Sequence, residues 1–408
     1  MTKKPNVCLL TNIIPPYYLP VFQRLRESLN EQLIDFRVLL STPMEPNRNW
    51  NPEWGDLPVT VQKCWTIKTR WKHEQGFSDE TWRHFPYDTL PYLARIQPDV
   101  VISLQLGFRT LQSALYRKLF PQSRLIIWTG LSEHTEKGLP RWRILQRKVL
   151  LRAADAVLVN GRSGRNYLMS VGVPRARIFP EPYCAEVSEH LALPLRRRPD
   201  VSRRLIYVGQ LTVRKGLQPF LAVLSEWLRR HPAETCEFWI AGDGPLREQL
   251  EEFPSFPQLR LRFLGSVTYE KLPDFYSQGG IFVFPTLADE WGVVVNESMA
   301  AGLPILGSLH SQAVEELVQD GVNGWTFHPD CPEETYRALD RALTTSDAQL
   351  DEMRQSGRER IRPFSPEFGA ACYLAAIEHV RPRMGGMSHN GYLKTDLNQP
   401  QVWEGWLD

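Results

Sequence analysis

Cysteine is scarce in this chain, with six in 408 residues. Cys8, Cys64, Cys184, Cys236, Cys331 and Cys372 form no Cys-x-x-Cys pair, which argues against a disulfide framework and against a zinc site. Reduced, cytoplasmic surroundings are the expectation. A long apolar run is also missing. Met1 to Lys4 is basic, but the apolar stretch behind it breaks at Pro15-Pro16, so neither a signal peptide nor a spanning helix is expected. The protein is expected to be soluble or to rest on a membrane. Net charge is only +2, too small an excess to argue for nucleic acid, and no zinc finger or aromatic-basic repeat adds to it. No internal repeat appears beyond a rough halving.

What is present is an ordinary globular composition, 42% hydrophobic and 23% charged, in a chain long enough for two cores. The first half alternates strand-like runs (Asn6 to Leu10, Ile34 to Leu40, Asp99 to Leu104, Leu125 to Trp128, Ala156 to Val159) with helix-compatible segments such as Leu19 to Leu29 and Arg109 to Leu119. That alternation predicts a parallel sheet wrapped by helices. The alternation breaks between Glu186 and Arg203, and a second α/β series runs from Leu205 to Phe327. The expected architecture is therefore α/β, with two Rossmann-like domains facing across a deep cleft. Its divisions are an N-terminal domain over 1–190, a linker over 191–203, a second domain over 204–365, a helix over 366–380 packing back toward the first domain, and an irregular tail over 381–408. Trp403 and Trp406 are the residues that would dock the tail.

The chemistry concentrates in the second half. Pro285-Thr-Leu-Ala-Asp289-Glu290-Trp-Gly-Val-Val-Val-Asn-Glu297 sets carboxylates eight positions apart around a Gly-Val helix start. The run Ile281 to Phe284 is strand-like, and Gly292 to Ala301 is helix-compatible up to the stop at Gly302-Leu-Pro304. The first amides of such a helix suit phosphate or sugar oxygens, and carboxylates accept hydrogen bonds from vicinal hydroxyls. A solvated acidic loop beside a buried helix is the plainer alternative. Upstream, Arg204 to Gly216 reads as a strand, a close-approach glycine at Gly209 and two adjacent cations, Arg214 and Lys215. At ~4 Å and an effective dielectric near 20, each charge pair is worth roughly 4 kcal/mol before desolvation, enough to stabilise a diphosphate leaving group without magnesium. A solvated Arg-Lys pair capping a turn is equally compatible with the spacing. Gly242-Asp-Gly244-Pro245 ends another strand in a turn, and Leu261 to Gly265 precedes a helix beginning near Tyr269.

Taken in order, Val208-Gly-Gln-Leu, Arg214-Lys-Gly, Gly242-Asp-Gly-Pro, Phe263-Leu-Gly, Asp289-x7-Glu297, Gly302-Leu-Pro and Asp320-Gly-Val-Asn-Gly324 resemble a family 4 (group 1) glycosyltransferase of GT-B fold. The resemblance covers roughly the second half of the chain. It implies that Lys215 binds the donor diphosphate with Arg214 as second cation. It also implies that Glu297 binds the nucleotide ribose and that Asp289, with Glu290 beside it, faces the donor sugar. The donor-binding set that follows is Gly209, Gln210, Gly242, Val267 near the base, and the amides of Trp291, Gly292 and Val293. Two departures stand out: the first acid is usually Glu and is Asp289 here, and Gln210 occupies a position often held by Arg.

In that family the first domain binds the acceptor. Leu10-Thr-Asn-Ile-Ile-Pro-Pro-Tyr-Tyr resembles members lacking a Gly-Gly loop near the donor phosphate, which makes Tyr17 and Tyr18 candidates to line the cleft, with core packing as the alternative. Many members place a His at the end of the strand matching Leu125 to Trp128. This chain has Trp128-Thr-Gly-Leu-Ser-Glu133-His134 there, so His134 and Glu133 are the substitutes to consider. Trp50, Trp54, Trp65, Trp71 and Trp82 crowd the region between the early strands, where they serve packing or an aromatic acceptor surface. The run Arg141 to Arg152 contains no acid. At helical spacing Arg141, Lys148 and Arg152 share a face bordering Trp142, Leu145 and Val149, fit either for anionic headgroups or for a solvated surface.

The function expected from the resemblance is a retaining, metal-independent transfer of a sugar from a nucleoside diphosphate sugar, UDP or GDP type, to a hydroxyl of a glycan, lipid-linked glycan or small molecule. No cofactor beyond that co-substrate is expected. The rival is a nucleotide-sugar-binding or scaffolding protein of the same fold that has lost catalysis. The expected location is the cytoplasm, with the Arg141 face able to rest on the inner side of the membrane.

Overall fold

The computed structural model describes residues 4–46, 53–73, 76–254 and 257–381; Trp50 and the 382–408 part of the expected tail, with Trp403 and Trp406, lie outside them. The chain divides into two units, one formed by 1–71, 80–186 and 364–408, the other by 72–79 and 187–363.

In the first unit, strands β1 (Asn6–Thr11), β2 (Asp35–Leu40) and β3 (Val59–Val61) and, after the two-stranded ribbon of β4 (Cys64–Lys72) and β5 (Ser78–Pro86), whose residues 72–79 cluster with the second unit, strands β6 (Val100–Leu104), β7 (Arg124–Thr129), β8 (Ala156–Val159) and β9 (Ile178–Pro180) alternate with helices. These helices are α1 (Leu19–Glu31), α2 (Thr89–Ile96), α3 (Phe108–Leu119), α4 (Arg141–Ala153) and α5 (Arg162–Ser170). The seven-stranded sheet runs β3-β2-β1-β6-β7-β8-β9 with parallel neighbours throughout. Helices cover both faces, so strands such as Val100–Leu104 read as continuous apolar runs rather than alternating ones.

The second unit begins with α6 (Ser188–Leu191) and continues through β10 (Leu205–Val208), α7 (Leu217–Arg230), β11 (Cys236–Ala241), α8 (Arg247–Glu251), β12 (Leu259–Gly265), α9 (Leu272–Ser277), β13 (Ile281–Phe284), α10 (Val293–Ala300), β14 (Ile305–Ser308), α11 (Gln312–Leu317), β15 (Gly324–Phe327), α12 (Pro332–Thr344) and α13 (Asp347–Ile361). Its parallel sheet has the order β12-β11-β10-β13-β14-β15. That is the doubly wound order in which the direction of winding reverses between the first and fourth strands, and ligands in such sheets sit where it reverses. Here that point lies between β10 and β13.

The stretch 191–203, expected as a linker, is instead fastened to the second unit. Arg197 donates to the carbonyls of Gly279 (3.1 Å) and Ala301 (2.7 Å), and Arg358 donates to that of Leu193 (2.8 Å). The units part at 186/187, at the start of the stretch where the alternation breaks, rather than at 190/191. The last helix, α14 (Pro366–Val380), clusters with the first unit and packs on α1, β8 and β9.

Candidate functional site

The loops that leave β10 and β13 carry the two charged motifs, and the fold presses these loops together. Gly216 has φ +70°, and a Cβ there would stand 2.0 Å from the carbonyl oxygen of Pro285. Only glycine lets the turn after Lys215 close onto the end of β13. The amide of Leu287 donates to Arg214 O (2.8 Å), and the Thr286 hydroxyl donates to the same carbonyl (3.2 Å). A second close approach joins β10 to β11: a Cβ on Gly242, at φ +142°, would meet Gly209 O at 1.8 Å.

This lacing brings Lys215 and Asp289, 74 positions apart, into an ion pair in which each side chain is 13% exposed. Lys215 also stands 5.3 Å above the Phe284 ring. Arg214 reaches the same Asp289 oxygen from 3.5 Å and donates through Nε to Asp79 at 3.0 Å and through a terminal nitrogen to Ala288 O at 3.0 Å. Burial alone would raise the Asp289 carboxyl; Lys215 first and Arg214 next hold it below its ordinary value, with the Trp291 amide adding a hydrogen bond. Burial likewise works against the Arg214 charge, and Asp289 and Asp79 more than restore it. The cluster is thus two cations against two carboxylates in a largely dry pocket, where such pairs are strong.

Glu297 lies in α10, 98% buried, and accepts from the Tyr276 hydroxyl at 2.8 Å. Burial lifts its pKa to about 7, and that hydrogen bond recovers only part of the shift. Tyr276 also meets the ring of His190 at 5.5 Å; both His190 nitrogens are buried without a hydrogen-bond partner, and burial lowers its pKa to about 4.

The other residues expected at the donor side distribute as follows. Trp291 is buried, its indole donating to Asn296 Oδ1 at 2.9 Å, so its ring serves the core and its main chain the loop. Gly292 caps α10 at φ +105°, and Val293 opens the helix. Glu290 is half-buried, its carbonyl taking a 2.6 Å hydrogen bond from Gln312. Gln210 is half-buried and contributes its carbonyl to the Tyr207 hydroxyl at 2.9 Å. Val267, half-buried, follows the end of β12.

The acceptor-side candidates all fall in the first unit. Tyr18 is a correction: it is 3% exposed, and its hydroxyl donates to Glu181 at 2.9 Å, so it belongs to the core. Burial of its ring against Phe22 and Trp128 is the physical reason. Tyr17 is half-buried and stacks on Tyr183 at 5.8 Å. Glu133 is exposed on the loop after β7, its amide donating to Ser163 Oγ at 2.9 Å, and His134 beside it is half-buried. Arg141, Lys148 and Arg152 lie on α4. Sequence reasoning missed Asp79, which stands 135 positions from its partner Arg214, and the Tyr276 and His190 pair behind Glu297; no local motif announces any of the three.

With this geometry in view, the comparisons with known proteins are consistent. Two solved structures share the fold over nearly the whole chain. The lipopolysaccharide outer core galactosyltransferase WaaB superposes with TM-score 0.69 at 13% identity, covering 91% of this chain and 99% of that one. Anabaena HepE in complex with UDP and glucose gives 0.63 at 13% identity, covering 92% and 99%. The two Rossmann-like halves therefore define a GT-B fold. Within it, residues 202–345, in the second unit, match the family described as Glycosyl transferases group 1. A curated relative, the alpha-D-kanosaminyltransferase of Streptomyces kanamyceticus, is 27% identical over 255 residues; the match covers 60% of this chain and 62% of the relative, so the chain spans less than two thirds of that relative's length. Among the described residues, no helix is long and apolar enough to cross a membrane.

Proposed function

We propose that this protein is a glycosyltransferase that moves a sugar from a nucleoside diphosphate sugar, of UDP or GDP type, to a hydroxyl group of a glycan, a lipid-linked glycan or a small molecule, in polysaccharide or glycoconjugate biosynthesis. The observation that carries this reading is the convergence of Lys215, Arg214 and Asp289 at the β10/β13 switch point, with Glu297 buried in the helix that follows. That the HepE structure holds UDP and glucose in the same fold supports a nucleotide-sugar donor.

In the proposed reaction the donor diphosphate takes over the two cations from the carboxylates that hold them, which supplies the neutralisation a metal ion would otherwise give. Glu297 accepts hydrogen bonds from the ribose hydroxyls, and Asp289, released from Lys215 and aided by Glu290, orients the sugar. The bond between the anomeric carbon and the diphosphate oxygen breaks, the acceptor hydroxyl oxygen bonds to that carbon, and its proton passes to the leaving phosphate. Retention of configuration and independence from metal follow from the resemblance of the Asp289-x7-Glu297 motif. Tyr17, Glu133 and His134 are assigned to the acceptor side, and the cytoplasm, with the α4 face turned to the inner membrane surface, is the proposed location.

The test is thermal unfolding with UDP, GDP and ADP, followed by a donor screen with the nucleotide that binds. A ligand at ~100 times Kd stabilises by roughly 2.7 kcal/mol, a readable rise in midpoint. A shift with one nucleotide, and its release only when an acceptor is present, is the expected result. A shift without any transfer favours the binding-protein reading, and no shift with any nucleotide overturns both.

A further inference from the structure

The outward faces of α3 and α4 carry exposed apolar side chains, of which Phe108 meets the Phe85 ring at 5.8 Å and Trp142 lies under the Arg143 guanidinium at 5.3 Å. Of fifteen exposed large hydrophobic side chains among the described residues, seven lie on these two helices. On α3 they are Phe108, Leu111, Leu115 and Leu119, which at ~100° per residue fall within an arc of about 80°. On α4 they are Trp142, Leu145 and Val149, within an arc of about 60°, and the first two are more than 60% exposed. Successive parallel crossovers β6 to β7 and β7 to β8 move in one direction along the sheet, so their right-handedness puts both helices on the same face, where they adjoin. Singly scattered apolar residues need no explanation, whereas a contiguous patch does.

The charge around the patch identifies its partner. Neither helix contains an acid. Arg141, Lys148 and Arg152 line one flank of the Trp142 stripe, about 20° to 60° from Leu145 around the helix, and Lys118 is exposed at the end of α3. Among the described residues none of these four has a carboxylate within salt-bridge distance, whereas Arg117 and Arg147, which point inward, are paired to Asp155 and Glu136. The outward cations are thus the unneutralised ones.

We propose that α3 and α4 together form a docking surface for an anionic lipid bilayer. The apolar stripes enter the boundary between headgroups and acyl chains, and the cation strip pairs with lipid phosphates. A second copy of this chain would present the same cations to one another across a symmetric contact, which disfavours a dimer as the occupant. The inference rests on the membrane placement of the α4 face proposed above, but its test is separate from the proposed reaction, because vesicle binding is read with no sugar donor present.

The experiment is flotation of the full chain with vesicles of neutral phosphatidylcholine alone or with anionic phosphatidylglycerol added. The chain is expected to float with the anionic vesicles and to lose that association at high salt. Replacing Arg141, Lys148 and Arg152 by Ala together should lower the partition coefficient about 100-fold, each cation being worth about fivefold. Leu111→Ser with Leu145→Ser, both exposed and therefore compatible with folding, should lower it while leaving the nucleotide-induced midpoint shift unchanged. Failure to float with anionic vesicles at low salt overturns the proposal. So does self-association in size-exclusion chromatography that the serine variant abolishes and vesicles do not affect.

Discussion

Arg214 stands between two carboxylates, Asp79 at 3.0 Å and Asp289 at 3.5 Å. Its guanidinium is therefore already neutralised before any donor arrives. In the proposed reaction an incoming diphosphate has to displace these partners, and the strength with which they hold on would set part of its affinity.

Asp79→Asn removes one of the two competitors without changing side-chain size. Donor nucleotide is expected to bind roughly 3- to 10-fold tighter, a fraction of the pair energy after screening. Calorimetric titration of the nucleotide checks this. Weaker binding would instead assign Asp79 to orienting Arg214.

Lys215→Ala removes the cation whose amine pairs with Asp289. Turnover should fall by about two to three orders of magnitude, the range for losing one preorganised charge stabiliser. Steady-state rates at saturating donor decide it, and a rate near that of the parent removes Lys215 from the reaction.

Burial pushes the Glu297 carboxyl up to about 7. As pH falls through that value the carboxylate takes a proton and the charge-assisted hydrogen bonds proposed to the ribose would be lost, so the donor KM should rise on the acid side. Glu297→Gln should show a high KM that hardly varies from pH about 6 to about 8. Equal pH profiles for the two proteins would separate Glu297 from the nucleotide.

Glu181 offers a stability test free of the reaction. It is 99% buried and accepts from Tyr18 (2.9 Å), Trp128 (2.7 Å) and Tyr373 (3.1 Å), with no cation among these partners. Burial raises it to about 8 despite those hydrogen bonds. A carboxyl held above its unfolded value binds an extra proton in the folded state. The stability that proton contributes is present at low pH and disappears as pH rises toward and past 8. The melting temperature should therefore decline from pH about 6 to about 9, and Glu181→Gln, which cannot titrate, should flatten that decline. Parallel curves would contradict the assignment.

The strands and their order of appearance were readable from apolar runs because both sheets are buried on two faces, which leaves little ambiguity at segments such as Ile281–Phe284. The Arg214, Lys215 and Asp289 motifs were readable for a related reason: each sits in the few residues after a strand, where glycine and charge stand out. Nothing local marks Asp79, whose role depends on a contact across 135 positions. Tyr18 stayed open between cleft and core because an aromatic residue after Pro-Pro looks the same in sequence whether it faces a cleft or Glu181. The break after Glu186 was readable, but not that the segment behind it belongs to the second unit, because Arg197 anchors this irregular, charged stretch through carbonyls that no pattern reveals.

The placement of α14 in the first unit has a consequence for biosynthesis. That unit is discontinuous: its sheet is made early, yet the helix that covers α1 and supplies Tyr373 to Glu181 comes after residue 363. Gly369 sits so close to Val21 that a Cβ would come within 3.1 Å of it, so the helix seats by intimate contact. On a ribosome, where domains fold as they emerge, residues 187–363 are complete while the first unit still waits with the α1 face bare. The part translated first is the part finished last, and a nascent chain stalled before Pro366 lacks the helix that packs on α1, β8 and β9.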